Sequence, residues 1–215
     1  NTIEFRMFRG TLKYNTLIAT LQLVDRVCDV AIYLSDEEVK ALSWTSFASG
    51  CLAPELVQYL KERFEGMGYT VTLQPYTDSQ GRSGHNVIAV KEASSPDADI
   101  LILSAHHDSV PTAYGASDNA SGVAALLYAA QALKDVPTDT QVRFISFTDE
   151  ENGKNGSRAY TASLTEEEKD RMIGDIQFDM LGGLGSDGTL VCTMDGEANW
   201  VSDLLQKKDP ELERD

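Results

Sequence analysis

Residues 101–122 read Leu-Ile-Leu-Ser-Ala-His-His-Asp-Ser-Val-Pro-Thr-Ala-Tyr-Gly-Ala-Ser-Asp-Asn-Ala-Ser-Gly. An apolar run from Ile100 to Leu103 ends in His106-His107-Asp108. A short loop then delivers Asp118-Asn119 to the start of a second apolar segment. Two further acidic points, Glu150-Glu151 and Asp179, fall at the ends of predicted strands. In open α/β sheets the functional crevice lies beyond the carboxyl ends of the strands. Four segments therefore can bring His106, Asp108, Asp118, Glu150, Glu151 and Asp179 to one sheet edge. Imidazole and carboxylate ligands without thiolate suit a hydrolytic zinc, cobalt or manganese ion better than a structural zinc. Carboxylates converging in one crevice repel unless cations sit among them. Two cations bridged by one carboxylate are a known arrangement for hydrolysis, and an extra carboxylate can then act as general base on the water.

Taken singly, these residues have plainer readings. Asp118 before Asn-Ala-Ser-Gly has the form of a helix cap, and Asp149-Glu150-Glu151-Asn152 that of a solvated acidic turn. Asp179 lies among Ile176, Phe178, Met180 and Leu181, where an unpaired charge is costly and a partner is expected. The metal reading accounts for all four positions together. His107 adjoins His106 on a strand end, so it points to the other face as a packing or supporting residue. His85 precedes the strand that starts at Asn86 and is expected on a solvent-facing loop. Ser109, His106 and Asp108 lie too close together for a serine-hydrolase triad, and no GxSxG elbow is present. Cys51 and Cys192 have no histidine near them in sequence.

The elements that must position these residues follow from periodicity. Leu56, Val57, Leu60 and Phe64 form one apolar helical face after Pro54, and Gly66 and Gly68 close that helix. Tyr69, Val71 and Leu73 alternate as a strand, with residues 86–90 as its hairpin partner. Residues 100–104 read as a central strand, apolar on both faces. Residues 119–135 form a buried helix, with Asp118 at its cap. Residues 142–147 and 173–181 are strands, and Gly182, Gly183 and Gly185 open a loop behind the latter. Thr165-Glu166-Glu167-Glu168 is a capping box. Residues 189–192 form a short strand and 199–207 a helix. Strands alternating with helices give an α/β fold with a central mixed, mostly parallel sheet and an antiparallel edge hairpin. In residues 1–45, Thr2 to Phe8 alternates as a strand, Leu17, Leu21, Val24, Cys28 and Ala31 recur at helical spacing, and Ser35-Asp36-Glu37-Glu38 has capping-box form. That segment receives no function and is expected to pack on the domain formed by residues 46–215.

The 215 residues suffice for one such domain. The 34 acids against 18 bases give a net charge of −16, which disfavours nucleic acid or an anionic membrane as partner. No apolar run of membrane-spanning length occurs. Cys28, Cys51 and Cys192 form neither a disulfide framework nor a thiolate zinc site. The chain starts at Asn1 without a signal-peptide pattern. Removal of a leader, or a shortened chain, is the expectation.

The motifs His106-x-Asp108-Ser109, Gly115-x-x-Asp118-Asn119-x-x-Gly122, Glu150-Glu151-Asn152-Gly153 with Gly156-Ser157, and Phe178-Asp179-Met180 resemble the co-catalytic di-zinc exopeptidases of peptidase family M28. The resemblance covers residues 46–200. It implies a three-layer α/β/α zinc-peptidase fold and a secreted or extracytoplasmic aminopeptidase acting on peptides or small proteins. It implies that His106 and Asp179 hold one zinc, that Asp118 bridges two, and that Glu151 holds the second. It assigns Glu150 as general base on a bridging water and Asp108 as the group that orients His106. It also implies a cis peptide between Asp118 and Asn119. The family's second zinc takes a further histidine from near the C-terminus, and no histidine follows Asp179. The domain is therefore expected to be incomplete at its C-terminus, with two zinc ions in the whole family site and one in this chain. Glutaminyl-cyclase-like and carboxypeptidase relatives, or a catalytically impaired metal-binding module, are the alternatives.

Overall fold

A computed structural model describes residues 52–78, 81–110, 113, 115–181, 190–193, 195–210 and 212–214. All belong to the second of the two units into which the chain divides, Ala48–Asp215. The strand, helix and capping box expected within residues 1–45, Cys28, Cys51 and the glycine loop at 182–185 lie outside the described residues.

A five-stranded sheet runs β1 (Thr70–Thr77), β2 (Ser83–Lys91), β4 (Gln141–Phe147), β3 (Ile100–His106), β5 (Met172–Gln177) from edge to edge. β3 pairs in parallel with β4 on one side and with β5 on the other. β2 is antiparallel to both β1 and β4. Four of the five strands therefore point the same way and β2 alone is reversed, which makes the sheet mixed and mostly parallel as expected.

Alternation along each strand builds two cores. Val87, Ala89, Leu103, Ala105, Val142 and Phe144 face one side, against Leu60 and Phe64 of α1 (Leu52–Gly66) and Val123, Leu126 and Ala130 of α2 (Gly122–Leu133). Ile88, Ile100, Ile102, Ile145 and Phe147 face the other, against Tyr160 of α3 (Asn155–Ser163) and Leu164. β3 and β4 are thus apolar on both faces because each face carries a helical layer. Phe64 stacks on Phe144 with ring centroids 6.2 Å apart, and the Tyr69 hydroxyl donates to the Ala130 carbonyl at 2.7 Å. Each fully buried Leu or Phe here contributes roughly 1.5–3 kcal/mol.

The capping box at Thr165–Glu168 opens α4 (Glu166–Arg171) as expected. Asn199 caps α5 (Trp200–Lys208). The short strands β6 (Leu190–Val191) and β7 (Glu213–Arg214) pair with each other.

Three local expectations change. β2 starts at Ser83, so His85 lies within a strand opposite Pro75 rather than on a loop, although it is exposed as expected. The 173–181 strand ends at Gln177. Asp179 therefore stands past the strand, in a segment whose Met180 adopts φ 49, and needs no buried partner. The 119–135 helix starts at Gly122, after a wide turn, Ala116–Ser121, in which Asp118 and Asn119 leave helical geometry.

Gly156 packs where β2, the end of β4 and α3 meet. A Cβ there would run into the Thr148 carbonyl and Asn86 Oδ1. We expect Gly156→Ala to cost about 1–3 kcal/mol, read as a lower denaturant midpoint with unchanged slope in urea unfolding.

Candidate metal centre

The site forms where three parallel strands end side by side. β3 is central and stops at His106, which pairs with Phe147 at the end of β4. Past β4 the chain carries Glu150 and Glu151. Past β5 it carries Asp179, with Phe178 N–H still bonded to the Ser104 carbonyl at 2.7 Å. The loop after β3 returns Asp118. Adjacent strands lie about 4.8 Å apart, so short segments that follow neighbouring strand ends can bring side chains to ligand distance.

His106 is buried, with 2 % of its surface exposed. Its Nε2 lies 3.2 Å from Asp118 Oδ1 and 3.5 Å from Asp179 Oδ1. Ligand atoms of His106, Asp118 and Asp179 all fall within 4.8 Å of one another. Nδ1 is 3.1 Å from the Asp108 carbonyl oxygen and 3.5 Å from its Oδ1. A proton on Nδ1 therefore points at Asp108, which leaves the Nε2 lone pair for a metal. Both acceptors belong to Asp108, the backbone carbonyl being the nearer. The carboxylate is engaged elsewhere: Oδ1 accepts from Glu150 N–H at 3.0 Å and Oδ2 from Glu151 N–H at 3.1 Å. Asp108 thus ties the end of β3 to the turn past β4. Burial raises the Asp108 pKa, but His106 and the two amides outweigh it and the net shift is downward.

Burial alone would lower the His106 pKa, yet Asp108, Asp179 and Glu150 hold it at about 9. Glu151 is pushed up by desolvation and by the neighbouring Asp118 charge. Its Oε1 is buried with no hydrogen-bond partner. An orphaned carboxylate oxygen beside Asp118 and a three-residue nitrogen and oxygen cluster is a donor set that fits zinc. Glu150 lies at the rim, with Oε1 3.9 Å from Lys154 Nζ.

Asn119, which the sequence places beside Asp118 without a bonding role, organises two of these segments. It is 1 % exposed. Its amide donates to the Phe178 carbonyl at 3.0 Å, and its oxygen accepts from Gly122 N–H at 3.1 Å and Met180 N–H at 3.3 Å. Asn119, not Asp118, therefore caps α2, and Asp118 is free to face His106. The Asp118–Asn119 peptide is cis. A Cβ on Gly122 would strike Asn119 Oδ1 and the Phe178 carbonyl, which explains the glycine. Asn86, fully buried, does the same for the other segment: it donates to the Gly156 carbonyl at 2.8 Å and accepts from Thr148 N–H at 3.1 Å. Asp149 is buried rather than part of a solvated turn, and it accepts from Asn152 and Asn155, each at 2.6 Å. An Asn-Gly pair three residues past Asp149 hints at a turn, but no local pattern shows that a distant asparagine pins it.

His107 does not join the cluster. Its Nδ1 lies 2.9 Å from Ser146 Oγ, and burial lowers its pKa to about 4. Cys192 is a free, exposed thiol.

The model of peptidase family M28 matches residues 86–211. Aminopeptidase YwaD of Bacillus subtilis (strain 168) is 37 % identical over 135 residues, which cover 61 % of this chain and 29 % of that protein. The chain thus spans under a third of that relative's length. The crystal structure of BSAP, a zinc aminopeptidase from Bacillus subtilis, superposes with a TM-score of 0.59 at 34 % identity, covering 62 % of this chain and 34 % of that one. A glutaminyl cyclase from Bacteroides thetaiotaomicron shares the fold, with a TM-score of 0.57 at 22 % identity over 73 % of this chain and 66 % of its own.

The His106 pKa of about 9 gives a test. Below pH 9 the metal-free imidazole carries a proton that a metal ion must displace, so affinity for zinc should rise with pH up to about 9 and then level off. Calorimetric titration at pH 7.5 in two buffers of different ionisation enthalpy should show proton release. Equal heats in the two buffers would contradict it.

Proposed function

The chain belongs to peptidase family M28, and from that membership we propose that it carries the catalytic centre of a zinc-dependent aminopeptidase acting on peptides or small proteins. The observation that supports this best is the convergence of His106, Asp118 and Asp179 at adjacent strand ends, with Glu150 and Glu151 held beside them through Asp108. His106, Asp118 and Asp179 would hold one zinc. Asp118 and Glu151 would serve a second, to which this chain contributes no histidine. The chemistry that zinc supplies when bound is Lewis acidity towards the scissile carbonyl and acidification of water.

The remaining work falls to the side chains. Glu150 binds no metal in this reading and takes the proton from the attacking water, then returns it to the leaving amine. Asp108 fixes both the His106 ring and the backbone on which Glu150 is mounted. The surplus of negative charge in the crevice favours a free N-terminal ammonium, which suits an exopeptidase working from that end. The Glu150–Glu151 pair with Asp118 favours hydrolysis over cyclisation of an N-terminal glutamine. An extracytoplasmic setting is part of the proposal and rests on the family. Among the described residues no helix is long and apolar enough to cross a membrane.

Replacing Glu150 by Gln should lower hydrolysis of leucyl anilides by about 10²–10⁴-fold while zinc content, read by atomic absorption, stays unchanged. Loss of zinc in that variant would remove Glu150 from the role of base. Chelation should abolish turnover. A panel that also contains N-terminal glutaminyl peptides separates hydrolysis from pyroglutamate formation.

A further inference from the structure

Beside Glu150, the outer side of α3 forms a wall of an open groove of about 530 Å³, lined by Lys154, Ser157, Arg158, Thr161, Ala162 and Lys169. Every charged residue in that lining is a cation, although the chain has 34 acids against 18 bases. A surface drawn at random from this sequence would be mostly acidic, so a lining whose charges are all cations stands out. Lys154 joins it to the metal centre: its Nζ reaches to 3.9 Å from Glu150 Oε1, and its backbone adopts φ 61 at the corner between turn and helix.

The cations are available to a ligand. Among the described residues Arg158 has no carboxylate partner, and its Nε donates to the Gly153 carbonyl at 3.0 Å. Lys169 pairs with Glu166 at 2.7 Å, but that glutamate side chain is 88 % exposed. Such exposed pairs are worth little and exchange readily. The hydroxyls of Ser157 and Thr161 donate to helix carbonyls, so they present acceptor lone pairs to the N–H groups of a ligand. The aliphatic stems of Lys and Arg, with Ala162, give the walls apolar contact area.

We propose that this groove is the subsite for the leaving portion of a peptide substrate and selects a carboxylate a few residues beyond the scissile bond. The inference rests on the aminopeptidase reading, in which the free amino end lies among the carboxylates and Glu150 works at the scissile bond. The peptide beyond that bond then enters the groove at Lys154. From residue 154 to 162 the helix runs about 12 Å. An extended peptide covers that length in three to four residues at about 3.3 Å each. An acidic side chain there, or the terminal carboxylate of a short peptide, meets Arg158 and Lys169.

The test uses the full chain with zinc and two fluorescent peptides, D-Leu-Gly-Gly-Asp-Asp and D-Leu-Gly-Gly-Asn-Asn, whose D-residue blocks cleavage. Anisotropy titration should give the acidic peptide about tenfold tighter binding at low salt, and the advantage should shrink as salt rises. Lys169→Glu should erase most of it. That change is the cleaner one, because Arg158→Glu also removes the bond to Gly153 beside Glu150. Circular dichroism checks that both variants fold. Equal affinity for the two peptides, an advantage that survives Lys169→Glu, or no binding of either peptide overturns the subsite. Self-association of the chain that Lys169→Glu abolishes also overturns it, since the groove would then take an acidic segment of a second copy. Zinc-dependent hydrolysis of leucyl anilides without acid preference leaves the aminopeptidase reading standing and the subsite refuted. Acid preference without any hydrolysis overturns the aminopeptidase reading and, with it, the leaving-portion subsite, and leaves only an anion-selective groove.

Discussion

Like-charge crowding governs this edge of the sheet. Asp108, Asp118, Glu150, Glu151 and Asp179 all lie close enough to act on one buried imidazole or on one another. A folded chain gains nothing by gathering carboxylates unless something positive offsets their repulsion. His106 does part of this, which is why its pKa sits so far above that of a free imidazole despite burial. A single imidazolium is too small a counterweight for five carboxylates. The orphaned Glu151 Oε1 marks where the balance is incomplete. Metal ions are the economical way to complete it, and the strand geometry delivers nitrogen and oxygen donors at the spacing they need.

Holding such groups together requires restraints that are not themselves charged. Two buried asparagines supply them. Asn119 fastens the segment past β5 to the turn before α2, and Asn86 fastens the turn past β4 to the middle of β2. An amide suits this work because it offers two donors and an acceptor at no Coulomb cost among carboxylates. Satisfied buried polar groups of this kind also fix one register, since any slip leaves them unpaired at about 1–3 kcal/mol each. Gly122 and Gly156 admit the close backbone approach that both asparagines need.

The sequence made the scaffold legible where the pattern is local. The double-faced apolar run at 100–104, the capping box at 165–168 and the Glu150–Glu151 pair could each be read from neighbours. Asp118 and Asp179 could be placed at the site, but their local settings could not. The cap of α2 belongs to Asn119 because the chain kinks there, and propensity does not register a kink. Residues 173–181 look like one strand, yet pairing stops at Gln177, opposite Ser104, because the chain turns away there while β3 runs on to His106. The bonding roles of Asn86 and Asn119 could not be read because their partners lie some sixty to seventy residues away. Side-chain bonds to distant backbone leave no periodic trace.

Backbone strain follows the same division. The non-glycine residues with left-handed φ among the described residues are Asp149, Lys154 and Met180, and all three flank the candidate metal centre. Each such conformation costs on the order of 1 kcal/mol. Asp149 recovers it through the hydrogen bonds it accepts from Asn152 and Asn155, Lys154 through the hydrogen bond its N–H donates to the Glu150 carbonyl, and Met180 through the one its N–H donates to Asn119. These carboxylates lie two to four residues past the ends of β4 and β5, so their placement is left to these bent segments. Strain held by a dense local hydrogen-bond set is how a regular sheet, whose side chains stand perpendicular to it, comes to gather Glu150, Glu151 and Asp179 above its own edge.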